Sequence, residues 1–418
     1  MQTSLDTDIP PRLENRSTLQ ELREIPGLRL AIPIYTLIIC GMMLSLLMAH
    51  QLPINVYNTY ALAAEKLMAH LYPYPVGEIE FLSGYKYSPL FGILFYPLRA
   101  LPSNWGRIFW ILINYAAFMA GLGVFLVHCY KGKGHTLAKL LDKPYKLVIV
   151  LLLIFNEMTV SIKIGQANSL VCGLMLLGLT YYSQGRNLIA GVLLALASNF
   201  KIYPLALALL LLWDFRSAYW KSFLGSYILM LFLPAFILGW AWNMDMLIAW
   251  HKTLLLDFNT ESKLSLMKFL EVNLNFNGTV YYRAFVVLNI ALLCVGYRYL
   301  YSATTTTGLR ILYPLVALFI LLFNHRSEIE LFVLICPIYS MMYLSILEQK
   351  AEGRSATSEI AFLVIGYFLV THLRTDLMPS KVGEFLFHDR SQSLGSLILY
   401  FYFIYLAWKT ASSPVKQN

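Results

Sequence analysis

Long apolar stretches dominate this sequence and limit what it can fold into. They recur along the chain, for example at 29–50, 104–129, 166–184, 218–241 and 394–411. Each is close to or above the ~20 residues that a helix needs to cross the ~30 Å hydrocarbon core of a bilayer. Only helices and closed barrels satisfy the backbone polar groups in lipid, and the alternating pattern of a barrel is missing. The sequence therefore predicts an all-α polytopic membrane protein.

The composition excludes a soluble enzyme with a large core. Hydrophobic residues make up 58% of the 418 residues and charged residues 13%, whereas soluble domains carry about 25% charged residues. The net charge of +9 comes from lysines and arginines in short loops, which the positive-inside rule explains better than nucleic-acid binding does. The five cysteines lie in or at the ends of apolar segments. They are interpreted as small buried hydrophobes, and neither a disulfide framework nor a metal site is expected.

The charge pattern predicts the domain organisation and the orientation. Residues 1–28 are polar and lack the features of a signal peptide, so a cytoplasmic N-terminal tail is expected. A single transmembrane domain follows at 29–411, and 412–418 forms a cytoplasmic C-terminal tail. The basic loops at 183–187, 214–221 and 298–310 place those connections on the cytoplasmic side.

The number of spans before Gly165 stays open. Nine spans are predicted after Gly165 and four apolar runs precede it, but only an odd number fits the flanking loops. Either the short segment 88–101 is re-entrant, or it is a span and 146–162 is a half-helix. Both alternatives give about twelve spans in total.

Two connections on the predicted exterior face, 51–87 and 242–280, are longer than a plain turn needs. Both are rich in Trp, Tyr, Leu and Asn, and long loops of this kind are usually functional. Residues 58–71 have helical character with an apolar face, which predicts a helix lying along the membrane interface.

Four polar clusters map to that same predicted face, and ionisable groups near a bilayer are candidates for function because they are costly to place there. They are the first exterior loop, residues 163–168, the stretch Asn-Phe-Lys-Ile-Tyr-Pro at 199–204, and the hairpin at 323–330. Each has a structural explanation when taken alone: an aromatic belt, a helix cap, a snorkelling lysine and an internal ion pair. Together they favour a shared site for an anionic amphiphile.

The stretch at 199–204 is the most specific of the four. Pro204 cannot donate a backbone hydrogen bond and disfavours helix at Tyr203. The sequence therefore predicts a broken backbone beside the ammonium group of Lys201, which suits binding of a lipid phosphate.

Four motifs in order resemble glycosyltransferase family 87: YKYSPLFGILFYPLRALP (85–102), GQANSLVCGLMLLGL (165–179), GVLLALASNFKIYPLALALLLLWDF (191–215) and FNHRSEIELFVLICP (323–337). The last is similar to Bacteroidetes-like members in its Phe-Asn-His-Arg run. The resemblance covers about residues 29–345.

This resemblance implies a fold of the GT-C class with about twelve transmembrane helices and interfacial helices in the first exterior loop. It implies transfer of a sugar, expected to be mannose, from polyprenyl-phosphate sugar to a lipid-linked or cell-envelope glycan. The transfer would invert the anomeric carbon at the exterior face of the bacterial cytoplasmic membrane. Neither a cofactor nor a metal nor a nucleic-acid partner is expected.

The resemblance also assigns roles to residues. Lys201 is expected to contact the phosphate, and Gln166 and Asn168 to line the cavity. The other substrate-binding candidates come from the first loop and the later hairpin: Asn55, Asn58, Tyr60, Tyr85, Lys86, Tyr87, His325 and Arg326.

One departure concerns the general base, which in the family is thought to be an aspartate near the start of the first exterior loop. Residues 51–60 read QLPINVYNTY and contain neither Asp nor Glu. Glu80 is the first candidate to replace it, followed by Glu78 and Glu328. The alternatives are different acceptor chemistry, a non-catalytic relative, or a transporter or flippase of a lipid-linked sugar. A transporter should show polar residues at mid-membrane and an internal repeat, and neither is evident.

Overall fold

The computed structural model describes residues 17–48, 55–74, 84–131, 136–258, 264–274, 279–300, 305–324, 327–372 and 391–412. Within these ranges every regular element is a helix. The α-helices are α1 Thr18–Glu24, α2 Leu28–Met48, α3 Asn55–Met68, α4 Pro89–Ala100, α5 Ser103–Cys129, α6 Leu137–Leu140, α7 Pro144–Ile164, α8 Asn168–Ser183, α9 Asn187–Phe200, α10 Leu205–Leu212, α11 Ser217–Phe232, α12 Ala235–Leu238, α13 Trp240–Phe258, α14 Leu266–Leu274, α15 Thr279–Tyr299, α16 Thr306–Phe323, α17 Cys336–Ala351, α18 Thr357–Val370 and α19 Ser391–Ser412. A 3-10 helix, Ile329–Ile335, precedes α17.

Seven helical segments of the described chain are long and apolar enough to cross a membrane: Leu28–Ser45, Asn104–Cys129, Pro144–Ile164, Ser217–Leu238, Thr306–Phe323, Ile329–Ala351 and Ser391–Ser412. Two shorter apolar helices, Asn187–Phe200 and Thr357–Val370, accompany them. The other predicted spans coincide with helices α4, α8, α10 and α15. The prediction of an all-α polytopic membrane protein is confirmed, and the total of about twelve spans stays a prediction.

Helices α4 and α7 bear on the two alternatives for the region before Gly165. Helix α4 has 12 residues and extends only about 18 Å. It packs along α3: the hydroxyl of Tyr57 donates to the carbonyl of Leu98 at 3.1 Å, and the hydroxyl of Tyr60 donates to that of Tyr87 at 2.5 Å. The half-helix alternative is wrong, because α7 is a full helix of 21 residues, long and apolar enough to cross a membrane. The re-entrant course of 88–101 stays a prediction.

The bundle has two chemically distinct ends. The end that holds Gly165, Lys201 and Tyr87 is called the site end below. At the opposite end, Arg310 donates to Glu348 at 2.6 Å and to the carbonyl of Cys129. Asp214, also at the opposite end, accepts hydrogen bonds from the hydroxyls of Tyr182 and Tyr297 at 2.6 and 2.8 Å. The basic loops predicted to be cytoplasmic thus lie together, away from the site end.

Helices α5 and α8 cross in close contact. A Cβ atom on Gly121 would lie 2.5 Å from the carbonyl oxygen of Gly173, and one on Gly173 would overlap the backbone of Ala117. Small residues allow helix backbones to approach in membranes, where packing rather than the hydrophobic effect holds helices together. This crossing fixes the start of α8, which carries part of the candidate site.

Candidate functional site

The turn between α7 and α8 presents the first polar side chains. Helix α7 is capped by Gly165, whose φ of +78° lies in the left-handed region that glycine adopts most easily. The indole nitrogen of Trp110 donates to the Gly165 carbonyl at 2.7 Å and fixes the turn against α5. The side chains of Gln166 and Asn168 that follow are buried, with 7% and 1% of their surface exposed.

Lys201 reaches this turn from the break between α9 and α10. Its backbone is extended (φ −140°, ψ 145°), and α10 begins after Pro204, as the sequence predicts for this stretch. The ammonium nitrogen donates to Gln166 Oε1 at 2.7 Å and lies 5.0 Å from the centre of the Tyr87 ring. The lysine is therefore held inside the protein and does not snorkel freely.

Two carboxylates approach the other side of Gln166. Its Nε2 donates to Glu328 Oε2 at 3.0 Å and to Glu330 Oε1. Both glutamates lie at the start of the 3-10 helix, where the Ser327 hydroxyl donates to the carbonyl of Leu321 at 2.7 Å and holds the turn. Glu330 is 4% exposed, whereas Glu328 is only half-buried.

Asn168 and Tyr203 complete the hydrogen-bonded cluster. The amide nitrogen of Asn168 donates to Gln166 Oε1 at 3.2 Å, and the hydroxyl of Tyr203 donates to Asn168 Oδ1 at 3.2 Å. One cation and two carboxylates thus share a network of neutral amides and hydroxyls.

An aromatic wall closes the cluster on the side of α3 and α4. The ring of Tyr87 stacks on Phe91 at 4.8 Å between centroids, and the ring of Tyr60 packs edge-on against both. Burial raises the pKa of the Tyr60 and Tyr87 hydroxyls well above the ordinary value. For Tyr87, the hydrogen bond from Tyr60 opposes this rise in pKa, and the charges of Glu328 and Glu330 add to it. Both hydroxyls are therefore neutral around neutral pH.

The structure brings six of the predicted site residues together: Tyr60, Tyr87, Gln166, Asn168, Lys201 and Glu328. Two others do not join the hydrogen-bonded cluster. The ring of Tyr85 packs against Tyr87 at 5.7 Å between centroids, but its hydroxyl donates to the carbonyl of Ser88 at 2.6 Å. Asn58 accepts from Arg107 at 3.3 Å. Lys86 is half-buried, and its carbonyl accepts from the indole of Trp250 at 3.0 Å.

Five predicted residues fall outside what the structure describes. Glu78, Glu80, His325 and Arg326 lie outside the described residues, and Asn55 lies in α3 but the structure does not describe its side chain. The choice of Glu80 as the general base therefore stays a prediction.

Sequence reasoning missed Glu330 and Tyr203 as members of the cluster. Glu330 was interpreted only as a partner for Arg326 in an internal ion pair, and Tyr203 only as the residue before Pro204. The available signal was their position inside two of the four polar clusters. Their contacts to Gln166 and Asn168 join residues 164 and 35 positions apart, and a sequence pattern does not reveal such contacts.

These features define a multi-pass membrane protein with a buried ionisable cluster at one end of its bundle. No curated protein matches the chain. Residues 85–324, more than half of the 418, match the family model of glycosyltransferase family 87. The chain belongs to this family and is a membrane glycosyltransferase. The match includes Tyr87, Gln166, Asn168 and Lys201 and ends four residues before Glu328.

Proposed function

We propose that the chain transfers a sugar, mannose first among the candidates, from a polyprenyl-phosphate sugar to a hydroxyl of a lipid-linked or cell-envelope glycan. The reaction takes place at the site end, which faces the exterior of the membrane. The observation that carries this proposal is the contact of Lys201 with Gln166, which joins a cation, an amide and two glutamate side chains in one hydrogen-bonded cluster.

Lys201 is the contact for the donor phosphate. An ammonium group has three N–H donors, and within the described chain one of them is directed to Gln166. The others are available to phosphate oxygens. When the bond between the anomeric carbon and the phosphate oxygen breaks, the electron pair leaves with the polyprenyl phosphate, and a fixed cation stabilises that growing charge.

Glu328 is the general base that the described residues support best. It is half-buried, so an acceptor can reach it, whereas Glu330 is enclosed. The carboxylate takes the proton of the acceptor hydroxyl while the acceptor oxygen bonds to the anomeric carbon. A single displacement of this kind inverts the anomeric configuration.

Gln166 keeps the two functions apart. Its carbonyl oxygen faces the ammonium of Lys201 and its amide nitrogen faces the carboxylates. A direct ion pair between Lys201 and a glutamate would compete with the phosphate for the lysine and would weaken the base. The neutral amide gives a hydrogen-bond partner to both the ammonium of Lys201 and the carboxylate of Glu328. It does not neutralise the charge of either group.

The experiment is a transfer assay in nanodiscs with labelled polyprenyl-phosphate mannose and a membrane lipid extract. The wild type should form a labelled glycolipid whose anomeric configuration, determined by NMR, is opposite to that of the donor. Lys201→Ala should lower the rate by about 100-fold or more, the loss typical of removing one charge-stabilising donor. Lys350→Ala, an exposed lysine at the opposite end, should leave the rate unchanged.

Glu328→Gln tests the base, with Glu352→Gln at the exposed opposite end as its control. Activity should fall in the first variant only. Full activity of Glu328→Gln would contradict its assignment as the base and return Glu80 or Glu78 to that role. Full activity of Lys201→Ala would contradict the assignment of the phosphate contact. Movement of the labelled donor across a liposome without any product would support a transporter and contradict the proposal.

A further inference from the structure

A cavity of about 270 Å³ lies between α3 and α4 at the site end, apart from the Lys201 cluster. It has about nine times the ~30 Å³ volume of one water molecule, which leaves room for a phosphate group. Its lining residues are Tyr57, Asn58, Ala61, Leu62, Glu65 and Arg99.

Helix α3 separates this cavity from the candidate active site. Asn58, Leu62 and Glu65 follow one another at spacings of four and three residues, so they occupy one face of the helix. Tyr60 lies on another face and contacts Tyr87 of the Lys201 cluster. The two regions are therefore neighbours that do not share side chains.

Two arginines lie at this cavity: Arg99 lines it, and Arg107 lies behind the lining residue Asn58. Arg99 donates to Glu65 Oε2 at 2.9–3.0 Å, but these side chains are 45% and 53% exposed. Exposed ion pairs contribute little to stability, so Arg99 can exchange Glu65 for another anion. The second arginine, Arg107, donates to Asn58 Oδ1 at 3.3 Å, and no carboxylate pairs with it among the described residues.

Both guanidinium groups lie close enough to the Tyr57 hydroxyl to affect its pKa. Arg107 lies 5.6 Å from the centre of the Tyr57 ring. Burial raises the pKa of Tyr57, and the charges of Arg107 and then Arg99 oppose that rise. Among the described residues, two arginines and one glutamate therefore lie around a hydroxyl and an amide, an excess of one positive charge.

Two features beside the cavity are typical of a membrane interface. Arg107 is near the N-terminus of α5, a membrane-spanning helix, and Trp105 beside it is 58% exposed. Tryptophan is enriched where spans meet the membrane interface. Leu62, which lines the cavity, is 53% exposed and offers an apolar contact to the start of an acyl chain.

We propose that this cavity binds the phosphate head of an anionic membrane lipid. Arg99 releases Glu65 and takes the phosphate oxygens, for which its planar guanidinium has a matching geometry. Arg107, which donates to Asn58, compensates the remaining negative charge of the phosphate. The lipid then holds α3, and with it the aromatic wall of the candidate active site.

The test measures binding of a fluorescent short-chain phosphatidic acid to the purified full-length protein in neutral detergent. The wild type should bind this probe and should not bind the matching diacylglycerol, which lacks the phosphate. Arg99→Gln should weaken binding by about tenfold or more, the effect expected for a lost charge-assisted hydrogen bond. Glu65→Gln should strengthen binding, because it removes the competing carboxylate.

Two controls separate this site from other sources of binding. Arg354→Gln removes an exposed arginine that pairs with Glu352 at the opposite end and should leave the affinity for phosphatidic acid unchanged. Because Lys201 is itself proposed to hold a lipid phosphate, the Arg99 and Glu65 variants are also compared in the Lys201→Ala background. Binding of the probe should persist in that background and should still depend on Arg99. Unchanged binding in both Arg99→Gln and Glu65→Gln, or loss of binding in Lys201→Ala alone, overturns the proposal. Competition by inorganic phosphate at the affinity of the lipid also overturns it, since the site would then recognise a free anion.

Discussion

Gln166 connects the ammonium group of Lys201 to the carboxylate of Glu328. Its Oε1 accepts from Lys201 at 2.7 Å and its Nε2 donates to Glu328 at 3.0 Å. The three residues come from the turn after α7, the break after α9 and the start of the 3-10 helix. A single amide therefore aligns three separate parts of the chain at the site end.

Gln166→Leu should destabilise the protein and reduce transfer. The variant keeps the volume of the side chain but leaves Lys201 and Glu330 without their amide partner, which costs about 1–3 kcal/mol in the free energy of unfolding. Thermal unfolding and kcat/KM measure the two effects. Gln349→Leu is the matched control, because Gln349 is buried at the opposite end and donates to Ser345 at 3.3 Å. It should lower stability without changing kcat/KM, and an equal loss of activity in both variants would contradict a special role for Gln166.

Gly165→Ala should change substrate binding through backbone strain alone. The φ of Gly165 is +78°, and among the described residues an added Cβ would meet only the Tyr57 backbone nitrogen, at 3.9 Å. The expected cost is about 1–2 kcal/mol in the free energy of unfolding. Gly185→Ala has the same strain at the opposite end, where φ is +76° and no atom of the described residues lies within 4 Å of the added Cβ. Both should lose similar stability, and only Gly165→Ala should raise KM for the donor.

Tyr87→Phe and Tyr87→Leu separate the ring from the hydroxyl. The first variant removes the acceptor of the Tyr60 hydrogen bond and should cost about 0.5–1.5 kcal/mol of stability. It keeps the ring that faces Lys201 and should retain most activity, whereas Tyr87→Leu should lose more. Because burial raises the pKa of the Tyr87 hydroxyl, this group stays neutral at moderate pH. The pH profile of kcat/KM for Tyr87→Phe should therefore keep the wild-type shape between about pH 6 and 9. If the variant lost a rise or fall in activity that the wild type shows in that range, the Tyr87 hydroxyl would have to titrate there.

Gly173→Ala should disrupt the crossing of α5 and α8. An added Cβ would overlap the backbone of Ala117, and such overpacking typically costs about 1–3 kcal/mol. Gly225→Ala in α11 is the control, because an added Cβ there has no neighbour within 4 Å in the described part of the chain. It should be neutral or slightly stabilising. Thermal unfolding of the two variants in the same detergent measures the difference. Equal unfolding temperatures would show that α5 and α8 can separate without cost.

Most of the helices were predictable because hydrophobic length alone defines them. The predicted spans 104–129, 187–200 and 393–411 agree with α5, α9 and α19 to within two residues at each end. The helix predicted at 58–71 is observed at 55–68, three residues earlier, and its position along the membrane interface stays a prediction. The sequence did not show whether helix α4 crosses the membrane, since a short apolar helix has the same sequence pattern when it crosses a membrane and when it lies along the surface.

The candidate site was predictable in part. Lys201 and Gln166 stood out because ionisable and amide groups are costly beside long apolar runs. The helical phase of α3 was not predictable, and it decides that Tyr60 faces the Lys201 cluster while Asn58 faces the second cavity. Glu330 was missed as a cluster member because its contact to Gln166 depends on how distant helices pack.

Direct binding of the released product tests the central claim, that Lys201 holds the donor phosphate. The measurement compares the affinities of polyprenyl phosphate and the corresponding polyprenol for the wild type, Lys201→Ala and Lys350→Ala in nanodiscs. The wild type and Lys350→Ala should prefer the phosphate by about 10- to 100-fold, as expected for hydrogen bonds to a charged group. Lys201→Ala should lose that preference while still binding the polyprenyl chain. An undiminished preference for the phosphate in Lys201→Ala would contradict the account.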